Sequence, residues 1–437
     1  MALLYNNSRN MRIILTLISL LFLVVLTNAQ TQDLNYYLDQ AKINSPLIIK
    51  AQNNKRIIQL DMQKVKSILS KPMINVEASV LFAPIISHDN NSNKFQWVSE
   101  GANSYTGYDL ASSDGGQYQA FVSVTQPLFL GKTYQSYSEQ AKIQTQLNDN
   151  NVKLSKHEIE LLVSHQYILC LMAKQQSEIS KSLLDNLSDQ VSIMKNLVEN
   201  AIYKQTDLML LQIETDNFKI EHEKYKSKYA KNLSDLNLLC GISDTNFVLV
   251  KNVNFEISAD TISNSQFLDK YKLDSLNIIS KQTILEQKYR PKINLFANAG
   301  MNATYLPTIN RLGFATGINF IWNIFDGNQK KIQNQKSLVE LKTIEFEKQY
   351  FIKQHNTNKE KYLNQLKTID KQIKIVENQL TDYEQLIKLY KIELSQGQIS
   401  IMDVKNIIRD ISAKKQEDLS LKMQKQMLIN SYNYWNF

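Results

Sequence analysis

Four short segments of this chain alternate between apolar and polar residues. In 73–83, Ile74, Val76, Ala78, Val80 and Phe82 fall on one side, and Asn75, Glu77 and Ser79 on the other. In 117–130, Tyr118, Ala120, Val122 and Val124 oppose Gln119, Ser123 and Thr125. In 292–304, Ile293, Leu295, Ala297, Ala299 and Met301 oppose Asn294, Asn298 and Asn302; in 312–325, Phe314, Thr316, Ile318, Phe320 and Trp322 oppose Gly317, Asn319 and Asn323. A period of two predicts strands. Glu77 is the only charge among Met73–Phe82, Gln117–Leu130, Ile293–Leu306 and Leu312–Phe325. One apolar face and one polar, nearly uncharged face suit a strand with lipid on one side and water on the other. Each segment is long enough for the 9–11 residues that a tilted membrane strand requires. Four strands cannot close a barrel, and an open edge in lipid leaves backbone groups unpaired. The pattern therefore predicts that several chains pool their strands.

The rest of the chain predicts long helices. It holds 11 Gly and 6 Pro in 437 residues, well under average usage of about 7% and 5%. Neither occurs between Lys132 and Cys240, and from Asn328 onward Gly397 stands alone. Uninterrupted helix is the economical reading of both stretches. A helix over 132–199 or 328–394 is about 100 Å long at 1.5 Å per residue.

Landmarks repeat. Lys71-Pro72-Met73-Ile74-Asn75 matches Arg290-Pro291-Lys292-Ile293-Asn294 at an offset of 219. Leu128-Phe129-Leu130-Gly131 matches Ile324-Phe325-Asp326-Gly327 at 196, and Asp207 lies opposite Asp403 at the same 196. Equal arms with matching ends imply a duplicated unit. The expected division is 30–240 for the first repeat, 241–263 for a linker or equatorial segment, and 264–437 for the second. The first repeat has helices at 34–70, 132–199 and 206–239; the second has helices at 264–289, 328–394 and 401–435. The offset falls by 23 within the first strand pair, so its loop, Ala83 to Gly116, is longer by about that much.

Composition and charge narrow the function. Arg9 and Arg12, an apolar run from Ile13 to Leu26 and Thr27-Asn28-Ala29 together predict a cleavable export signal over 1–29; an uncleaved anchor is the alternative. The net charge of +8 is spread over Lys and Glu along helices, which fits solvated faces rather than nucleic-acid binding. Cys170 and Cys240 fall in apolar helical registers and read as buried thiols. His88, His157, His165, His222 and His355 include no pair at metal-site spacing. No nucleophile–base pair or phosphate loop appears, so neither an enzyme nor a cofactor is expected.

With these residues in place, the chain resembles the TolC-like outer-membrane efflux proteins. Their strand entry is matched by Pro72 and Pro291. Their strand exit, Pro-Leu-Phe-x-Gly-Gly, is matched by Gln126-Pro127-Leu128-Phe129-Leu130-Gly131 and Trp322-Asn323-Ile324-Phe325-Asp326-Gly327, with Lys132 and Asn328 where a second Gly would stand. Their helical tip is matched by Gly397 through Asp403-Val404; the first copy has Ala201 in place of that Gly and keeps Asp207. The resemblance implies a fold that is mainly α with a membrane β-barrel, as two tandem helix–strand–strand–helix–helix repeats per chain. It implies a homotrimer with a 12-stranded barrel on a long α-helical barrel, in the outer membrane of a Gram-negative bacterium and reaching into the periplasm. It also implies docking to a periplasmic adaptor and an inner-membrane pump, for efflux or type I secretion. An exported periplasmic coiled-coil adaptor or structural protein is the rival reading.

Asp403 is the leading pore or gate candidate: the resemblance implies a place near the tapered end, where rings of acidic residues from three chains favour cations. Its spacing from Ser400 also fits a helix cap. Asp207 is its counterpart, with a cap role favoured. Gly397 is the expected tip hinge, and Gly131 and Gly327 the strand-exit turns. Tyr and Arg residues that form a polar latch in some relatives have no counterparts here: Leu394 and Ile399 stand in their places. The Ala83–Gly116 loop is expected outside the cell, with Ser104 as a site for an epitope.

Overall fold

The structure, a computed structural model, describes residues 31–97, 101–108, 116–129, 132–243, 248–258, 265–303 and 312–436. The expected export signal and Gly131 lie outside the described residues. In chain order the elements are β1 (Thr31–Gln32), α1 (Leu34–Asn44), α2 (Pro46–Ser70), β2 (Met73–Phe82), β3 (Ile85–Ser87), β4 (Lys94–Gln96), β5 (Tyr105–Thr106) and β6 (Gly116–Phe129). Then follow α3 (Thr133–Glu199), α4 (Gln205–Leu239), β7 (Leu249–Val250), α5 (Gln266–Gln287), β8 (Lys292–Ala303), β9 (Leu312–Ile321), α6 (Gln329–Ser395) and α7 (Ile401–Trp435).

Where the sequence predicts one helix over 34–70, the chain breaks between α1 and α2. Ser45 is extended (φ −64°, ψ 123°) and Pro46 opens the next helix. A residue before proline is pushed out of the helical region, while proline itself fits a first helical position. The two longest helices, α3 and α6, have 67 residues each.

The chain forms two compact units, and each draws on both repeats. One comprises Gln52–Asn150 and Asp269–Lys348. It holds an antiparallel sheet of order β2-β6-β8-β9. Glycine permits close strand approach: a Cβ on Gly300 would meet Ala120 O at 2.2 Å and Phe121 Cα at 2.4 Å. A second sheet, β4-β3-β5, folds the first part of the loop that follows β2. It is locked by Asp89, whose carboxylate accepts hydrogen bonds from Asn103 N, Ser104 N and Ser87 Oγ at 2.9–3.2 Å. Those donors hold its carboxyl below the ordinary range.

The other unit comprises the chain up to Ala51, Asn151–Leu268 and Gln349–Phe437. One core cluster gathers Tyr37, Ile48, Val163, Tyr167, Leu171, Leu236 and Leu419 from α1, α2, α3, α4 and α7. Cys170 and Cys240 are free thiols within it, and burial pushes each up to about 12. The 241–263 segment is tied down beside this core. Val250 pairs with Gln32 in the parallel β1–β7 ladder, and Tyr167 Oη donates to Lys251 O at 2.7 Å. A second cluster joins Leu187, Met194, Leu211, Phe218, Ile401, Val404 and Ile408, where the α3–α4 and α6–α7 hairpins meet.

Candidate functional site

Two places in the chain hold the residues that the sequence singles out. The first is the four-stranded sheet. Its register brings each strand's alternation into phase with its neighbour's. Val76 pairs with Val122, Val122 with Ala299, and Ala299 with Phe314. On the opposite face, Asn75 pairs with Ser123, Ser123 with Asn298, and Asn298 with Ala315. Directly opposed residues share a face, so one face is mainly apolar, and the other mixes polar and small residues with Phe121 and Phe296. The apolar side chains Ile74, Val76, Val80, Phe314, Ile318 and Phe320 are all exposed. On the polar face, Ser123 Oγ donates to Glu77 Oε1 at 2.6 Å, and Ser79 Oγ to Gln119 Oε1 at 3.2 Å. Gln117 and Gln119 both donate to Asn302 Oδ1. Among the described residues, β2 and β9 each have a partner on one side only.

The second place is the tip where the two helical hairpins turn. The turns are superimposable in hydrogen bonding at the offset of 196. Ala201 N donates to Val198 O and Ile202 N to Leu197 O; Gly397 N donates to Leu394 O and Gln398 N to Glu393 O. Gly397 takes φ +70°, and Ala201 takes φ +61° at the equivalent place. The first turn thus lacks the glycine but not its conformation. Tyr203 of the first turn donates to Ile399 O of the second at 2.8 Å, and its hydroxyl lies 3.3 Å from Leu394 O. The polar tie that Leu394 and Ile399 cannot make with side chains is made to their backbone.

The two candidate aspartates sit differently. Asp207 Oδ2 accepts from Lys204 N at 3.1 Å and closes the start of α4. At the start of α7 it is Ser400 Oγ that caps, accepting from Met402 N at 3.1 Å. Asp403 lies in that first turn, exposed, and its carboxylate accepts no hydrogen bond among the described residues. The second strand exit places Gly327 at φ +66° and Asn328 at φ +67°. Asn, the residue standing where a second Gly was expected, is the ordinary substitute in that left-handed region.

One pair escaped the sequence reading. Glu214 of α4 is 2% exposed and takes a bidentate pair from Arg409 of α7, Nε to Oε1 at 2.5 Å and Nη2 to Oε2 at 2.6 Å. Arg409 is held further above its ordinary value by that carboxylate. A signal existed: Glu214 falls at helical spacing between Leu211 and Phe218, on the stripe that α4 buries. Its counterpart at the 196 offset is Asp410, not Arg409, so the repeat gave no hint of the partner.

No protein-family model matches the chain, and no curated protein sequence matches it. Solved structures do. CusC, described in terms of folding and transmembrane channel formation, is 12% identical with a TM-score of 0.68 over 92% of each chain. The Campylobacter jejuni CmeC outer membrane channel is 12% identical with a TM-score of 0.65, over 92% of this chain and 85% of its own. The open state of the Neisseria gonorrhoeae MtrE outer membrane channel is 12% identical with a TM-score of 0.65, over 92% of this chain and 88% of its own. The chain has the TolC-like fold of these outer-membrane channels.

Proposed function

We propose that this chain is the outer-membrane channel of a tripartite efflux or type I secretion system, a passive exit duct without catalytic chemistry. One observation carries the reading: all four strands of the sheet turn a mainly apolar row to one side, while the row behind it is largely polar on β2, β6 and β8 and mostly small on β9. In lipid the outer edges of β2 and β9 must pair. A second copy's β9 beside β2 satisfies both, and three copies give 12 strands. The two tandem repeats then supply the sheet and the helical hairpins of one third of the duct. A periplasmic adaptor and an inner-membrane pump are the partners that this reading requires. The test is the mass of the protein extracted from outer membranes in mild detergent, with and without crosslinking. A trimer is expected. A monomer, or recovery in the soluble periplasmic fraction, overturns the reading.

Within this duct we assign Asp403 to the narrow end. Its carboxylate is exposed and unbonded among the described residues, so three copies near a threefold axis can present it to passing ions. Asp403→Asn should lower cation preference in planar-bilayer recordings with the trimer intact. Asp207→Asn should alter selectivity less and stability more, because its carboxylate already serves Lys204 N. Unchanged selectivity with a lower melting temperature for Asp403→Asn would reduce this residue to a helix-terminal role.

A further inference from the structure

The β3–β4 hairpin displays aromatic rings that a loop in water has no reason to expose. Phe95 and Trp97 are 58% and 64% exposed. Trp97 stacks on Phe82 with centroids 5.5 Å apart, and Phe95 meets Trp97 edge-on at 5.2 Å. Phe82 is itself 52% exposed and is the last residue of the apolar row on β2, beyond Ile74, Val76 and Val80. The rings therefore continue the apolar face of the large sheet past the end of its edge strand. The small sheet is built to hold them there. Ile85 and Ser87 are buried on its inner face, while Ile86, paired with Phe95, stays exposed on the outer one. Among the described residues no acceptor bonds the Trp97 indole N–H.

We propose that Phe95 and Trp97 form an interfacial lipid anchor, seated at the boundary of acyl chains and headgroups where the apolar face of the sheet ends. This rests on the reading that the sheet spans a membrane. Trp suits such a boundary because its body is apolar while its N–H needs a polar partner, which headgroups and interfacial water supply. Exposed apolar clusters of this kind mark contact surfaces. Continuity with the β2 row favours lipid over a protein partner: the rings extend a surface that already faces acyl chains.

The experiment uses two single-tryptophan variants of the full chain in phosphatidylcholine vesicles. Trp322→Phe with Trp435→Phe leaves Trp97; Trp97→Phe with Trp435→Phe leaves Trp322, which follows the apolar row of β9. Both are first checked for the same oligomer on native gels. Trp97 is expected to emit to the blue of a solvated indole and to lose fluorescence to brominated lipid. The loss should be larger with bromine near the headgroup than near the chain ends. If iodide quenches Trp97 and brominated lipid does not, while Trp322 is quenched by lipid, the rings lie in water and the anchor falls though the barrel stands. If neither quencher reaches Trp97 while lipid reaches Trp322, a neighbouring copy covers it, and the anchor again falls. If lipid quenches neither indole, the membrane reading fails and takes the anchor with it.

Discussion

At the scale of single residues, the tip turns show backbone geometry outlasting the residue that suits it. Alanine at φ +61° carries a cost of roughly 1–2 kcal/mol that glycine avoids. Glycine loses more entropy on folding, which offsets part of the gain. Ala201→Gly should therefore raise stability by about 0.5–1 kcal/mol, read as a higher unfolding midpoint. Gly397→Ala should lower it by at least about 1 kcal/mol, since the new Cβ would also sit 3.1 Å from Ile202 Cγ2. The Glu214–Arg409 pair makes a larger demand. Arg409→Met leaves a buried carboxylate without its partner and should cost about 3 kcal/mol, at the low end of the range because Arg409 is half-exposed. Adding Glu214→Leu should recover most of that loss; no recovery would mean that the arginine stem, not the charge, supports the packing. Glu160 offers a pH test. His157 and Lys42, the latter at 2.7 Å, hold its carboxyl down at about 2 against an ordinary 4.5. A depressed carboxyl stabilises the fold above its ordinary value and loses that contribution as pH falls toward the folded one. The melting difference between the native chain and Glu160→Gln should thus be full above pH 4.5 and vanish near pH 2.

At the scale of elements, the described part of the long loop is more ordered than its Asn, Ser and Gly content suggests. Polar composition marks a loop but does not forbid a small sheet when an acid such as Asp89 collects its backbone donors. The consequence falls on Ser104. Its N–H bonds Asp89 Oδ1 at 2.9 Å and its carbonyl accepts from His88 N at 2.7 Å. Gly101, at φ +82° with nothing within 4 Å of a notional Cβ, has room that Ser104 lacks. On the proposed topology, an epitope beside Gly101 should label on intact cells. The same epitope at Ser104 should reduce the amount of labelled channel. Labelling at Gly101 only after permeabilisation would reverse the topology.

At the scale of the whole molecule, the described sheet is incomplete by its own hydrogen bonding. β2 and β9 each leave one edge open, and exposed apolar side chains run along α6 at Leu338, Val339, Phe346 and Ile375 as well as along the strands. In the proposed trimer, further copies meet surfaces of both kinds. Charging the sheet's apolar face should prevent insertion: Val76→Arg or Phe314→Arg should each cost about 2–4 kcal/mol near the bilayer midplane. Heat-modifiable trimer bands in outer-membrane fractions would report it. Asn75→Arg, on the polar face, should leave assembly intact and change conductance instead.

The sequence by itself determined the features that arise from local periodicity. A period of two assigned the strand faces, the scarcity of Gly and Pro assigned the helices, and landmark spacing assigned the duplication. The expectation that Gly397 and Asp403 lie at the tip came instead from the family resemblance. What it could not supply is pairing between distant positions. The bonds of Tyr203 to the backbone at 394 and 399 ignore side-chain identity, so no motif records them. Glu214 and Arg409 are 195 residues apart and unrelated by the repeat offset. The stacking of Trp97 on Phe82 depends on how a loop folds back on its own strand. Local patterns follow from the geometry of one strand or one helix, whereas these contacts exist only once the tertiary structure brings separate elements together.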